Sequence, residues 1–277
     1  MSNNHAPSIA VGNLPGFWDR LRSARRSFLA LDYDGTIAPF TVERMEAHPL
    51  PGTIDLLTKI RDRTGGSLAV LSGRPISEVL TLLGDLKIML VGSHGHELRY
   101  PNKSQVIKKP TPHQSERLDK ARDFCITEGL GSHIEAKGAS IAVHTRGLSP
   151  EEARRIEEYV MAGWNLIARA HALELRRFNG GVELRCTGMD KGDALRTLLS
   201  LLSDDTFSVY IGDDDTDEDA FRAISGHGFG IKVGDPGRPT DAQGFLPDAA
   251  SVQQFLKGWL HHAPEGLPKE VAWDHED

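Results

Sequence analysis

The chain has 277 residues, enough to bury a large core in one domain or two. Hydrophobic residues make up 39% and charged residues 26%, the balance of a globular protein, and a net charge of -7 excludes the basic face that nonspecific nucleic-acid binding needs. No apolar run reaches the length of a membrane span, and two distant cysteines, Cys125 and Cys186, make no disulfide framework.

Met1 to Pro15 shows no periodicity and reads as a loose tail without the basic-then-apolar pattern of a secretory leader, so the expected location is cytoplasmic. A short helix around Phe17, Trp18 and Leu21 leads into Phe28-Leu29-Ala30-Leu31, an apolar run of strand length. Such a run reads as a buried strand of a parallel sheet, and open α/β sheets place their chemistry beyond the carboxyl ends of such strands. Asp32 and Asp34 sit at that edge, and Gly35 permits the sharp turn into Thr36. Two carboxylates so close repel unless a cation lies between them, and a hard, oxygen-seeking ion such as Mg2+ suits them. An Asp-Gly turn at a strand end is also common without any chemistry, so the rest of the chain decides.

Thr53 to Arg63 places Ile54, Leu57 and Ile60 at helical spacing, and Gly65-Gly66 ends it. Ser67 to Leu71 is a second buried strand, ending in Ser72-Gly73-Arg74-Pro75, with Pro75 opening the next helix from Ile76 to Leu83. This strand–helix–strand unit predicts parallel strands, which puts the Ser72 hydroxyl and the Gly73 N–H at the same edge as Asp32. Ile88 to Val91 is a third strand, followed by Gly92-Ser93-His94-Gly95-His96-Glu97 and a hairpin around Pro101-Asn102-Lys103.

Pro110 and Pro112 mark a linker, and beyond them the pattern changes. Ser115 to Glu128 and a segment opened by Ser149-Pro150-Glu151-Glu152 read as helices. Strands are predicted at Ser140–His144, Leu173–Arg176 and Val182–Arg185, the last two joined by Asn179-Gly180-Gly181. Helices and strands here compose a small α/β unit inserted into the larger sheet, expected to cover the edge where the carboxylates emerge.

Asp190-Lys191-Gly192 then opens a helix with an apolar stripe at Leu195, Leu198, Leu199 and Leu202. A lysine at a helix start gains nothing from the dipole, which makes Lys191 unexpected unless an anion faces it. Phe207 to Ile211 is the next buried strand, and it ends in Gly212-Asp213-Asp214-Asp215-Thr216-Asp217-Glu218-Asp219, the densest acidic run of the chain. Asp213 completing a cation site explains why that repulsion is tolerated. Gly228 to Val233 is one more strand, Val252 to Leu260 a closing helix, and a frayed tail is expected from His261.

In order, Asp32-x-Asp34-Gly35-Thr36, Ser72, Lys191 and Gly212-Asp213-Asp214 resemble the four signatures of the haloacid dehalogenase (HAD) superfamily of phosphatases. The finer pattern is similar to the trehalose-6-phosphate phosphatase family. It is carried by Leu31 to Thr36, Gly92 to Gly95, Glu135-Ala136-Lys137-Gly138, Val143-His144-Thr145-Arg146, Val182 to Arg185 and Gly212 to Glu218. Cys186 and His96 depart from that pattern. The resemblance implies an α/β protein with a Rossmann-like core of mainly parallel strands, residues 1–110 and 187–277, and an inserted C2-type α/β cap, residues 111–186. It implies that Asp32 is a nucleophile, Asp34 a general acid and base, and Mg2+ held by Asp32, the Asp34 backbone and Asp213, with Asp214 and Asp217 behind them. Thr36, Ser72 and Lys191 would donate to the phosphoryl oxygens and Glu135, Lys137 and Glu183 would hold the sugar hydroxyls of a small sugar phosphate, with Gly73, Arg74, His94 and Asn179 as further substrate-binding residues. A functional link to a trehalose-6-phosphate synthase follows from the same likeness. Another sugar-phosphate phosphatase, a phosphomutase and a silent regulatory subunit stay open at this point.

Overall fold

The computed structural model describes residue 11 and residues 14–168, 173–178 and 180–266. In chain order, α1 (Phe17–Ser23), β1 (Arg26–Asp32), α2 (Thr53–Arg63), β2 (Leu68–Leu71) and α3 (Ile76–Leu83) come first. β3 (Met89–Gly92), β4 (Glu97–Arg99) and β5 (Gln105–Ile107) follow, then α4 (Pro112–Thr127), β6 (Ile134–Ala136), β7 (Ser140–His144) and α5 (Pro150–Ala168). Next are β8 (Leu173–Phe178), β9 (Gly181–Cys186), α6 (Lys191–Ser200), β10 (Thr206–Gly212) and α7 (Glu218–Ile224). β11 (Gly228–Val233), β12 (Gly244–Leu246) and α8 (Ala249–His262) complete the described chain. It divides into two compact units, residues 1–106 with 191–277, and residues 107–190, where the sequence reading set the junctions at 110/111 and 186/187.

The first unit is built on an eight-stranded sheet ordered β12-β11-β10-β1-β2-β3-β4-β5. From β12 to β3 every neighbouring pair is parallel, and β4 runs antiparallel to β3. The strand period of two sorts its side chains to opposite faces. Leu29, Leu31, Leu68, Val70, Val209 and Ile211 pack in one cluster with Phe17, Leu57, Val79 and Phe255 from α1, α2, α3 and α8. Phe28, Ala30, Ala69, Leu71 and Tyr210 pack in the other with Leu195 and Leu198 of α6 and Phe221 of α7. Apolar residues on both faces are why these strands read as continuous hydrophobic runs. The same alternation carries Asp32, two residues past Ala30, to the α6 and α7 side.

The second unit is a four-stranded antiparallel sheet, β6-β7-β9-β8. Ile141, Val143, Val182 and Leu184 face Cys125 of α4 and Val160 and Trp164 of α5, and the Trp164 indole donates to the Ala121 carbonyl at 3.1 Å. Both cysteines are free and buried, and burial pushes each thiol up to about 11.

Several element boundaries differ from the sequence reading for local reasons. Pro112 opens α4 instead of lying in a linker, because Thr111 caps the helix reciprocally with Gln114 and proline suits the first helical position. Asp248 caps α8, so that helix starts at Ala249 and runs through His262, where a frayed tail was expected. β12 was not anticipated. Among the described residues no helix is long and apolar enough to cross a membrane.

Candidate functional site

Parallel register sets the carboxyl ends of β1, β2 and β10 level. Asp32 pairs with Leu71, and Leu31 with Ile211, so Asp32, Ser72 and Asp213 emerge at one edge. Asp32 is buried, and Lys191, the first residue of α6, reaches it across the face that both share. The Lys191 ammonium donates to Asp32 Oδ1 and to Asp217 Oδ1, each at 2.6 Å. Those are the anions that its place at a helix start called for. Asp217 Oδ1 also accepts the Tyr210 hydroxyl, while its Oδ2 accepts the N–H groups of Asp213 at 3.1 Å and Asp214 at 3.0 Å.

Electrostatics follow from this packing. Burial, reinforced by the Asp217 charge, pushes the Asp32 carboxyl up to about 8 against the pull of Lys191. Burial and the Asp32 charge push Asp213 well above the ordinary carboxylate range. Asp217 goes the other way: burial raises it, but Lys191 and the other donors outweigh that and hold it low. Burial opposes the charge on Lys191, yet Asp217 and Asp32 hold it firmly protonated.

Oxygens of Asp32, Asp213 and Asp217 lie within 4.8 Å of one another, a cluster able to hold a metal ion. Both Asp217 oxygens are already engaged, whereas Asp213 Oδ1 is buried with no hydrogen-bond partner among the described residues. The open ligand capacity therefore lies between Asp32 and Asp213. Gly35, at φ 75°, passes so close that any side chain there would collide with the Asp213 carboxylate. An all-oxygen donor set of this kind fits a hard divalent cation.

Asp34 turns away from that cluster. Arg74 grips its carboxylate in a two-pronged ion pair, Nε to Oδ2 at 2.7 Å and Nη2 to Oδ1 at 2.6 Å. The same guanidinium donates to the Arg44 carbonyl at 2.8 Å, lies 3.5 Å from Glu78, and faces the Tyr33 ring. Arg74, an expected substrate-binding residue, is buried and donates to Asp34, the Arg44 carbonyl and Glu78. Thr36 is fully buried, and its hydroxyl has no partner among the described residues. The Ser72 hydroxyl accepts the Arg74 N–H at 3.1 Å and keeps its own proton to donate. The His94 ring covers Gly73 so closely that an added Cβ would meet it at 2.5 Å. Asp214 accepts the Asp215 N–H and caps the short 3-10 turn that places Asp217.

In the second unit, strand pairing brings Glu135, Lys137 and Glu183 together on the sheet face opposite the helices. Lys137 Nζ lies 3.1 Å from Glu183 Oε1 and 3.8 Å from Glu135 Oε2, and the Ser140 hydroxyl donates to Glu183 at 2.8 Å. His144 Nε2 lies 2.7 Å from Glu135 Oε2. Asn179 lies outside the described residues. Tyr210, Glu78, Ser140 and the pairing of His144 carried no motif in the sequence. Tyr210 alone had a signal, as a large hydroxyl-bearing side chain, two residues after the small Ser208, in an otherwise apolar run.

A family model described as trehalose-phosphatase matches residues 30–248. A probable trehalose-phosphate phosphatase from Sinorhizobium fredii is 30% identical over 236 residues, covering 82% of this chain and 85% of that protein. The C-terminal domain of trehalose-6-phosphate phosphatase from C. albicans superposes with a TM-score of 0.81 at 21% identity, covering 95% of this chain and all of that one. A haloacid dehalogenase-like hydrolase from B. subtilis shares the fold with a TM-score of 0.58 at 15% identity, over 85% of this chain and 99% of that one. Two of the first curated relatives, both with a synthase in their names, are much longer: the chain spans 32% of one and 33% of the other. The match runs from inside β1 to the cap of α8 and so takes in both polar clusters, and on that extent the chain belongs to the trehalose-phosphatase family.

Proposed function

We propose that this chain hydrolyses trehalose 6-phosphate to trehalose and phosphate through an aspartyl-phosphate on Asp32. The observation that carries the reading is Asp32 itself: a buried carboxylate at the carboxyl end of β1, 2.6 Å from the Lys191 ammonium and beside an Asp213 oxygen without a partner. An Asp32 oxygen attacks phosphorus, the phosphorus–oxygen bond to the sugar breaks, and Asp34 delivers a proton to the departing sugar oxygen. Water, giving up a proton to Asp34, then attacks the aspartyl-phosphate; phosphate leaves and the Asp32 carboxylate is restored.

Thr36, with its unpartnered hydroxyl, Ser72, the Gly73 N–H and Lys191 are the donors assigned to the phosphoryl oxygens. Arg74 pairs with both Asp34 oxygens, and Asp34 leaves that pair to act as acid and base. Asp32, the backbone carbonyl of Asp34 and Asp213 would hold Mg2+, which would supply the positive charge that lets a carboxylate approach a phosphate dianion. Asp217 keeps Lys191 and the Asp213–Asp214 amides in position, and Asp214 orders the turn between them. Glu135, Lys137 and Glu183 take the sugar hydroxyls, which charged groups bond strongly in fixed directions, with Asn179 and His94 as further sugar-side contacts. A synthase making trehalose 6-phosphate is the functional partner, and the free buried thiols suit a cytoplasmic setting.

The test is phosphate release from a panel of sugar phosphates with and without Mg2+, using wild type and Asp32→Asn. Trehalose 6-phosphate should be preferred, chelation should stop turnover reversibly, and the variant should be inactive. Equal turnover across the panel would remove the substrate assignment, and an active, undeamidated Asp32→Asn would remove the nucleophile.

A further inference from the structure

Ser93, His94 and Gly95 follow β3 at φ values of 49°, 54° and 111°, three left-handed residues in succession, two of them bearing side chains. That conformation carries a steric cost for non-glycine residues and persists only where the surroundings over-determine it. Here the surroundings are the loop after β2. Ser93 N–H donates to the Arg74 carbonyl at 2.8 Å and His94 N–H to the Ser72 carbonyl at 3.1 Å, while Ser72 N–H returns to the Val91 carbonyl at 2.8 Å. A Cβ on Gly92 would meet the Ile76 nitrogen at 2.8 Å, so the two backbones touch with nothing between them.

Glu97 closes this assembly. One of its carboxylate oxygens accepts the N–H of Ile76, the first residue of α3, at 3.0 Å, and the other accepts the Ser93 hydroxyl. Pro75 stands at the cap position of α3 and has no side-chain acceptor to offer. Glu97 caps that helix from 21 residues away, and places a negative charge where the helix dipole favours one. The loop it pins, Ser72 to Arg74, carries two phosphoryl donors and the arginine that grips Asp34.

We propose that Glu97 is a positioning residue for the phosphoryl site, joining the strained 93–95 turn to the start of α3 so that Ser72 and Gly73 face the phosphoryl group and Arg74 meets Asp34. The inference rests on reading the Ser72–Arg74 loop as part of a phosphatase site. Glu97 touches neither substrate nor reacting atoms, so its loss acts through that loop alone. Trehalose 6-phosphate and a small aryl phosphate therefore suffer alike, and so does inhibition by orthophosphate, which engages the same donors.

The experiment compares Glu97→Ala, Glu97→Gln and Ser93→Ala, with Mg2+ present, on trehalose 6-phosphate and 4-nitrophenyl phosphate. Orthophosphate serves as competitive inhibitor, and each variant is melted. Misplacing catalytic donors by about an ångström costs on the order of a hundredfold. Glu97→Ala should accordingly lose roughly ten- to a hundredfold in kcat/KM on both substrates and show a correspondingly raised orthophosphate Ki. Glu97→Gln should recover most of both, since its amide oxygen can accept the Ile76 N–H and its NH2 can donate to Ser93. Ser93→Ala, which removes only one of the two anchors, should show a smaller loss in the same direction and stands in if Glu97→Ala does not fold. A lowered melting temperature with unchanged orthophosphate Ki, in either truncation, would make Glu97 a helix cap and nothing more, and would overturn the proposal. The phosphatase reading fails separately: in that case wild type itself would turn over neither substrate, or Asp32→Asn would match it.

Discussion

Asp217→Asn is nearly isosteric, yet it should be among the most damaging substitutions in the first unit. Asp217 is fully buried, with Lys191 and the Tyr210 hydroxyl donating to Oδ1 and two backbone N–H groups donating to Oδ2. An amide offers one oxygen and one NH2, so in either orientation a donor faces donors. Removing one partner of a buried ion pair costs about 3–5 kcal/mol. Lys191 keeps Asp32 as a second partner, which favours the lower end, ~3 kcal/mol, close to a lost charged hydrogen bond plus a stranded donor. For a unit of this size that corresponds to a melting temperature lower by roughly 6–12 °C. Urea unfolding at constant m-value is the assay, with Tyr210→Phe as the reference, since it deletes a single hydroxyl and should cost about 1 kcal/mol. The double variant should lose less than the sum, because the Tyr210 bond is already compromised by the amide. An Asp217→Asn protein within about 1 kcal/mol of wild type, or strict additivity with Tyr210→Phe, would refute the account of Asp217 as the shared acceptor.

Gly35→Ala should weaken Mg2+ activation by about tenfold or more, because the new methyl displaces the Asp213 carboxylate and suffers a φ of 75°; an unchanged Mg2+ titration would separate Asp213 from the metal. Glu183→Ala should lower kcat/KM for trehalose 6-phosphate by roughly tenfold to a thousandfold, about 1.5–4 kcal/mol, while hydrolysis of a small aryl phosphate stays nearly constant; equal losses on both would remove it from sugar recognition. Asp248→Ala should destabilise α8 by about 1 kcal/mol at neutral pH. The Ser251 N–H bound at 2.7 Å holds the Asp248 carboxyl below its ordinary 3.8, so this contribution is present above 3.8 and fades as pH falls through the lower folded value. The melting difference between variant and wild type must then shrink in acid, and one that grows would contradict the cap.

The sheet was legible because its strands are buried on both faces and end in sharp polar turns. Phe28–Leu31, Ser67–Leu71 and Phe207–Ile211 announced β1, β2 and β10 by composition alone, and their levelled ends followed from parallel pairing. Where the reading fell short, the signal was a single residue whose role depends on its neighbours in space. Thr111 and Asp248 became caps once the chain around them folded, and that moved the starts of α4 and α8 toward the N-terminus. β12 has three residues, too few for any period, and owes its existence to pairing with β11.

The site divides along the same line. Asp32, Thr36, Ser72, Lys191 and Asp213 were legible because each sits at a fixed step from the end of a buried strand or the start of a helix, so local pattern alone brings them to one edge. Arg74 stood out in the sequence, but its pairing with Asp34 did not. Its partner Asp34 is 40 residues away, and the two-pronged geometry depends on how the turn after β1 meets the loop after β2. Glu97 is further removed still: nothing about a glutamate opening a three-residue strand signals that it caps a helix 21 residues earlier. The difference is physical. A residue whose place is set by strand or helix period can be found from spacing, because the period is short and the same everywhere. A residue whose place is set by two loops meeting can be found only after the chain has closed on itself, and Arg74, paired with Asp34, and Glu97, joined to Ile76 and Ser93, are of that second kind.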